Sequence, residues 1–200
     1  FSFHIFNTLF QVSGLVKGDF HDLFSFFDLH IKATQEFAKG NYDAIVWPEN
    51  AIDVDPFANT RVRESIESLT SMLKTPLITG AITRKSGQLE NVSLMYSESG
   101  EVVSYYSKQY LTPFGEYMPL RKVAEFVSPF AKSVNDFKPG AKFVSHEIGG
   151  YQVAPIICYE IINDGLVRES ANRTGAIIVQ TNSATFANTA ESAQQLAITR

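Results

Sequence analysis

Apolar positions recur along this chain at two different spacings, and their order predicts the elements. Leu23, Phe26, Phe27, Ile31, Phe37 and Ala38 fall at helical spacing within residues 21–39. Gly40-Asn41 stops that helix, because glycine closes a helix end without a Cβ penalty. Ala44-Ile45-Val46-Trp47 is a short continuous apolar run closed by Pro48. It reads as a buried strand that ends in a Pro-Glu-Asn turn. Val62, Ile66, Leu69 and Leu73 stripe a second helix over 60–74, which Pro76 closes, and 77–82 is the next strand.

Downstream, Lys85-Ser86-Gly87 is a turn. Strands over 91–96 and 102–106 form a hairpin around Ser99-Gly100, and strands over 142–148 and 151–158 form another around Gly149-Gly150. Between them lie a proline-punctuated loop (111–119), a short helix (120–127) and a proline-glycine loop that reaches Gly140. A helix over 163–173, a strand over 176–181 and the start of a helix from 189 close the chain; a first strand is expected over 7–12. Helices and strands alternate with two hairpin interruptions. That order predicts an α/β protein with mixed sheets covered by helices. Continuous apolar strands such as Ala176-Ile177-Ile178-Val179 predict sheets buried on both faces.

Composition narrows the function classes. With 44% hydrophobic and 19% charged residues over 200 positions, the chain is globular and is read as one domain, 1–200. A net charge of −4 argues against a bulk electrostatic grip on nucleic acid. One cysteine excludes an internal disulfide and any multi-cysteine metal site, and no metal or cofactor is expected. No run approaches the roughly 18 apolar residues of a membrane-spanning helix. The start, Phe1-Ser2-Phe3-His4, has no basic region of a signal peptide. A chain that opens on Phe and stops at Arg200 within helical patterning reads as a fragment of a longer protein.

Three strand ends carry reactive side chains. Cys158 follows Pro155-Ile156-Ile157 where a buried strand turns toward a helix, and strand carboxyl ends are where ligands bind in open α/β folds. A lone cysteine is more often plain core, and a thiol needs an activator. The histidines His4, His21, His30 and His146 are scattered; His21 and His30 lie on a helix, and His146 is expected to face solvent from an alternating strand. A carboxylate base and a cation are the alternative helpers. Glu49 follows the strand that ends at Trp47, and Lys108 follows the strand that ends near Tyr106.

These residues carry a resemblance. Trp47-Pro48-Glu49, Tyr106-Ser107-Lys108 followed by Thr112-Pro113-Phe114-Gly115-Glu116-Tyr117-Met118-Pro119, and Ile156-Ile157-Cys158-Tyr159-Glu160 resemble the Glu–Lys–Cys signature of the nitrilase (carbon–nitrogen hydrolase) superfamily. The Pro-Phe-Gly-Glu-Tyr segment paired with Cys-Tyr-Glu is similar, more narrowly, to the apolipoprotein N-acyltransferases. The resemblance implies an αββα sandwich of two mixed sheets flanked by helices. It implies Glu49 as general base, Cys158 as nucleophile forming a thioester, and Lys108 as oxyanion stabiliser with a backbone N–H near Tyr159. Glu116 matches a second glutamate that orients the lysine or an incoming nucleophile. Tyr159 and Glu160 are expected to shape the pocket and anchor its loop. Trp47, Phe114 and Tyr117 are candidates for acyl-chain contact or for loop packing, with plain core packing weighed equally.

The implied activity is transfer of a fatty acyl chain from a phospholipid donor to the N-terminal amine of a diacylglyceryl-cysteine lipoprotein. Membrane segments would lie outside this chain, with the catalytic domain on the extracytoplasmic face of the bacterial inner (plasma) membrane. Two alternatives stay open. One is a soluble amidase or nitrile hydrolase that uses the same triad with water as acceptor. The other is a silent nitrilase-like binding module. One segment departs from the pattern: family members often carry Asn-Asp-Ala-Trp-Phe after the strand that follows the cysteine, and here it is Asn182-Ser183-Ala184-Thr185-Phe186. That puts acceptor or lipid contacts of the loop in question and leaves the triad untouched.

Overall fold

The computed structural model describes residues 5–7, 25–121, 136–182 and 191–199. In chain order these form β1 (Ile5–Asn7), α1 (Ser25–Phe37), β2 (Ala44–Val46), α2 (Thr60–Leu73), β3 (Leu77–Lys85), β4 (Gln88–Tyr96), β5 (Val102–Ser107), β6 (His146–Ile148), β7 (Tyr151–Ile157), a 3-10 turn (Cys158–Ile162), α3 (Asp164–Arg173), β8 (Ala176–Gln180) and α4 (Glu191–Thr199). Among the described residues no helix is long and apolar enough to cross a membrane.

The larger sheet has the order β1-β2-β3-β4-β5, and the smaller one the order β6-β7-β8. β1, β2 and β3 run parallel, then β3-β4-β5 is an antiparallel meander. The two reversals return β5 to the direction of β2, so both strands end at the same edge. In the smaller sheet β6 and β7 are antiparallel, and β7 and β8 are parallel. Both sheets are therefore mixed, as the element order predicts.

Strand alternation builds two cores. Successive side chains of a strand point to opposite faces. Ile45 and Trp47 of the β2 segment, with Leu77, Ala81, Val92 and Leu94, pack under Phe27 of α1 and under Val62, Ile66 and Leu69 of α2. Ala44 and Val46 face the other way and join Ile78 and Met95 against Ile148 and Val153 of the smaller sheet. β2 is buried on both sides, which is why its sequence is an unbroken apolar run. α2 starts at Asn59, whose side chain accepts the Val62 N–H at 3.1 Å, and stops where Lys74 turns left-handed at φ 49°.

Several expectations shift. Among the described residues there are three hairpins where two were expected, because 85–88 also forms one: Ser86 and Gly87 both take positive φ, the signature of a two-residue turn. That tight turn zips the polar ends of β3 and β4 together, so both strands run beyond their apolar stretches. Of the strand expected over 142–148, only the last three residues pair. β8 is not buried on both faces: Ala176, Ile177, Ile178 and Val179 are all half-buried, since β8 is an edge of the smaller sheet as described. The expected elements over 8–12, 21–24 and 122–127, and residues 189, 190 and 200 of the last helix, lie outside the described residues.

His146 corrects another expectation. It does not face solvent; it is fully buried, and the exposed residue of its strand is Glu147. The alternation was right and its phase was off by one, which exchanges the two faces of a strand. Its Nε2 lies 2.9 Å from Ser93 Oγ of β4 and its Nδ1 lies 2.9 Å from Ser104 Oγ of β5. The imidazole thereby fastens the smaller sheet to the larger one.

Burial pushes the pKa of His146 down to about 4, and that of His30 in α1 likewise to about 4. An unfolded histidine titrates near 6.5, so the unfolded chain binds more protons between those values. Stability is complete above about pH 6.5 and is lost as pH falls toward 4. Acidification from pH 7 to 5 should cost on the order of 2 kcal/mol per buried histidine. Thermal melts across this range should show the loss, and His146→Asn should flatten the dependence while lowering stability at pH 7.

Candidate active site

Four chain segments meet at one edge of the two sheets. β2 leads into Trp47-Pro48-Glu49, and Glu49 is 5% exposed. The turn is held by Gly80 of β3, which donates its N–H to Pro48 O at 3.1 Å and whose carbonyl accepts the Ile52 N–H at 3.2 Å. A Cβ on Gly80 would stand 2.6 Å from Glu49 Cα, so only glycine allows this approach. Asn50 reverses the chain at φ 53°. From the smaller sheet, Gln180 Nε2 donates to Trp47 O at 2.8 Å and the Asn182 N–H donates to Glu49 Oε2 at 3.0 Å. Both sheets therefore hold the carboxylate.

Lys108 follows β5. Its N–H donates to Asn91 O at 2.9 Å, and its carbonyl accepts the Gly140 N–H at 2.7 Å. Gly140 lies so close over Ser107 O that no side chain fits there. The ammonium is 1% exposed. Nζ stands 2.8 Å from Glu116 Oε2, 3.4 Å from Glu49 Oε1 and 3.3 Å from Thr112 Oγ1. Burial alone would pull the lysine pKa down. The carboxylates of Glu49 and Glu116, with a contribution from Cys158, outweigh this and raise it, so the side chain is a permanent cation.

Cys158 ends β7. It sits at φ 51°, a left-handed conformation uncommon for a residue with a Cβ, and starts the 3-10 turn. Its side chain is partly exposed. Strain at a strand-to-helix turn is a recurrent way of presenting a nucleophile. The register pairs Ile157 with Gln180, so the cysteine and the segment that holds Glu49 leave the smaller sheet at the same level. Glu160 stabilises the turn. It is fully buried, and its Oε2 accepts the Ile157 N–H at 2.8 Å. Its Oε1 accepts from Gln109 N at 2.6 Å, Tyr110 N at 3.2 Å and Tyr106 Oη–H at 2.8 Å. Burial pushes the Glu160 carboxyl up, and these four donors pull against it. One side chain thus ties the cysteine turn to the lysine loop.

Glu49, Lys108 and Glu116 are in direct contact, and Cys158 acts on the Lys108 ammonium. Glu116 is locked on both oxygens, because Oε2 also accepts the Thr112 N–H at 2.8 Å and Oε1 accepts from Asn91 Nδ2 at 2.6 Å. Tyr159 is 37% exposed and, with Tyr110, Leu111, Pro113, Tyr117 and Phe137, lines an apolar groove of about 470 Å³ beside the cysteine turn. Phe114 is not in that lining; it is 62% exposed at φ 64°. Of the readings open for Trp47, the structure favours core packing over acyl-chain contact. It is fully buried, stacks on His30 and donates Nε1–H to Thr34 Oγ1 at 2.9 Å, so it packs the core. Of the altered loop, Asn182 is described and 183–186 lie outside the described residues. No group of three or more His, Cys, Asp or Glu side chains suited to a metal ion occurs among the described residues.

Sequence reasoning missed Asn91, Gln180 and Gly80. Asn91 carries no distinct signal, because Glu90 and Ser93 break the apolar pattern of the same strand. Gln180 ends an apolar run, which reads simply as its boundary. Gly80 looks like any glycine in a strand until its neighbour is known.

The carbon-nitrogen hydrolase family model matches residues 15–200. The chain is 30% identical over 184 residues to the apolipoprotein N-acyltransferase of Mycolicibacterium smegmatis, covering 85% of this chain and 31% of that protein. It is 31% identical over 178 residues to that of Rickettsia prowazekii, covering 86% and 35%. The chain therefore spans about a third of the length of these relatives. Among solved structures it resembles an amidase of the nitrilase superfamily from Nesterenkonia, with TM-score 0.59 and 20% identity over 80% of this chain and 60% of that one. It also resembles a glutamine-dependent NAD+ synthetase from Acinetobacter baumannii, with TM-score 0.59 and 18% identity over 81% and 30%. The fold is that of the nitrilase superfamily, and the chain belongs to the carbon-nitrogen hydrolase family.

Proposed function

We propose that this chain is the catalytic domain of an apolipoprotein N-acyltransferase. In this reading it takes an acyl chain from a membrane phospholipid onto Cys158 and passes it to the N-terminal amine of a diacylglyceryl-cysteine lipoprotein. The observation that carries the reading is a buried ammonium, held between two carboxylates, beside a strained and partly exposed cysteine. The similarity to N-acyltransferases over most of the chain supports the choice of substrates.

The chemistry runs in two steps. Glu49 takes the Cys158 thiol proton, and the sulfur attacks the ester carbonyl carbon. The tetrahedral oxyanion forms near Lys108 and a backbone N–H of the Cys158–Ile162 turn, in a water-poor site where a fixed cation is poorly screened. The carbon–oxygen bond breaks, Glu49 returns the proton to the departing lysophospholipid oxygen, and a thioester remains. The lipoprotein amine then attacks the thioester carbonyl, Glu49 accepts the amine proton, and the carbon–sulfur bond breaks. The thiolate regains the proton and the product is an amide.

Glu116 keeps Lys108 aimed, since its two oxygens are otherwise saturated. The apolar groove along Tyr110, Leu111, Tyr117 and Tyr159 suits an acyl chain. The exposed Phe114 and Leu120 (81% exposed) suit contact with a lipid surface. In this reading the domain works on the extracytoplasmic face of a membrane.

Incubating the full-length membrane protein with a radiolabelled phospholipid should give a hydroxylamine-sensitive acyl adduct, lost in Cys158→Ala. An adduct that persists in Cys158→Ala would overturn the assignment. Lys108→Met should slow adduct formation by roughly 10²–10³-fold, the usual effect of losing an oxyanion donor. Glu49→Gln should leave lipid binding intact and block adduct formation, measured by single-turnover labelling.

A further inference from the structure

We infer that Asn91 is a positioning residue that holds the two carboxylates of the site apart and on register, with Glu116 as the fixed counter-ion of Lys108 and Glu49 as the proton acceptor. The inference rests on the function proposed above and names a residue that function does not require by type.

Asn91 lies near the start of β4, which runs opposite to β2 and β5, so its first residues reach the edge where those strands end. Its side chain is 2% exposed. Nδ2 donates to Glu49 Oε1 at 2.9 Å and to Glu116 Oε1 at 2.6 Å, which uses both hydrogens of the amide. Two carboxylate acceptors on one atom settle which end of the amide is nitrogen. Asn91 Oδ1 has no hydrogen-bond partner, so the residue serves here as a donor alone. Its carbonyl accepts the Lys108 N–H at 2.9 Å, so one residue touches all three members of the cluster.

Charge explains why the donor must be neutral. Two carboxylates face one ammonium, so the cluster already carries an excess negative charge before the thiol ionises. A cation in place of Asn91 would compensate Glu49 and weaken it as a base. A carboxylate would add repulsion and has no proton to donate when ionised. An amide supplies two hydrogen bonds with no net charge. The partners then divide unequally. Glu116 accepts from Asn91, Thr112 N–H and Lys108 at 2.6–2.8 Å, whereas Glu49 stands 3.4 Å from the ammonium. The more loosely held carboxylate is the one free to take a proton.

The test uses iodoacetamide capture of Cys158, the sole cysteine of the chain, followed by mass spectrometry from pH 4.5 to 9. Removing donors from a carboxylate raises its proton affinity. Misplacing Glu49 should lower the capture rate of Asn91→Ala at pH 7 about 10–100-fold, and the lost donor should move the acidic limb of the profile up by about one pH unit. Asn91→Asp should be slower still at pH 7 and should recover relative to the parent as pH falls, because the protonated carboxyl regains one donor. A merely structural role would lower rates without moving the limb or inverting the trend. A folded Asn91→Ala, or a folded Asn91→Asp should the alanine variant fail to fold, with the parent's rate and pH profile overturns the inference. Glu49→Gln separates the two readings. If it too leaves capture unchanged, the proposed function fails with the inference; if it abolishes the enhanced capture while Asn91 variants do not, only Asn91 is wrongly assigned.

Discussion

A single ammonium, removed from water and compensated by one carboxylate after β2 and another from the loop after β5, is the constraint on which this molecule turns. An ammonium without partners at 1% exposure would lose its proton or drag water into the fold. Glu49 and Glu116 prevent both, and each needs its own supports. Those supports reach back into the architecture: Gly80 lets the Glu49 turn lie on β3, Gly140 seals the backbone beside Lys108, and Gln180 and Asn182 bring the second sheet to the first. The cluster is thus a place where the sheets are joined as well as a candidate place of reaction.

The second join lies between the sheets at His146. A neutral imidazole with a serine hydroxyl from a different strand on each nitrogen is a polar link in an apolar layer. Such a link adds little net stability compared with a well-packed aliphatic, but it fixes which strand of one sheet faces which strand of the other. Relative position of the sheets is what brings Cys158 to the edge where Lys108 already sits. Buried charge and buried histidine therefore serve the same alignment from two depths.

Much of this was legible in the chain itself. The apolar stripes of α1 and α2 and the continuous run of β2 announced their elements because burial decides their composition. The strand ends at Glu49, Lys108 and Cys158 were legible because a polar residue directly after an apolar run marks an edge. What stayed hidden depends on distant partners. His146 needed Ser93 and Ser104 to be placed, since a one-residue phase in a short strand has no local marker. Trp47 reads equally as a pocket or a core residue beside Glu49, and only the alternation of the folded strand turns it toward α1 and α2. Asn91 shows its purpose only when β4 is laid antiparallel between β3 and β5.

The bond from Asn182 to Glu49 Oε2 comes from the main chain. Every amino acid except proline supplies that donor, so the segment that begins at Asn182 is at liberty to drift in sequence without disturbing the base. Ser183 and Thr185, where the sequence departs from the pattern it resembles, therefore leave the anchor of Glu49 untouched. In the function proposed, partner choice is thereby free to be written in side chains while the carboxylate is held by the peptide backbone within a few residues of them.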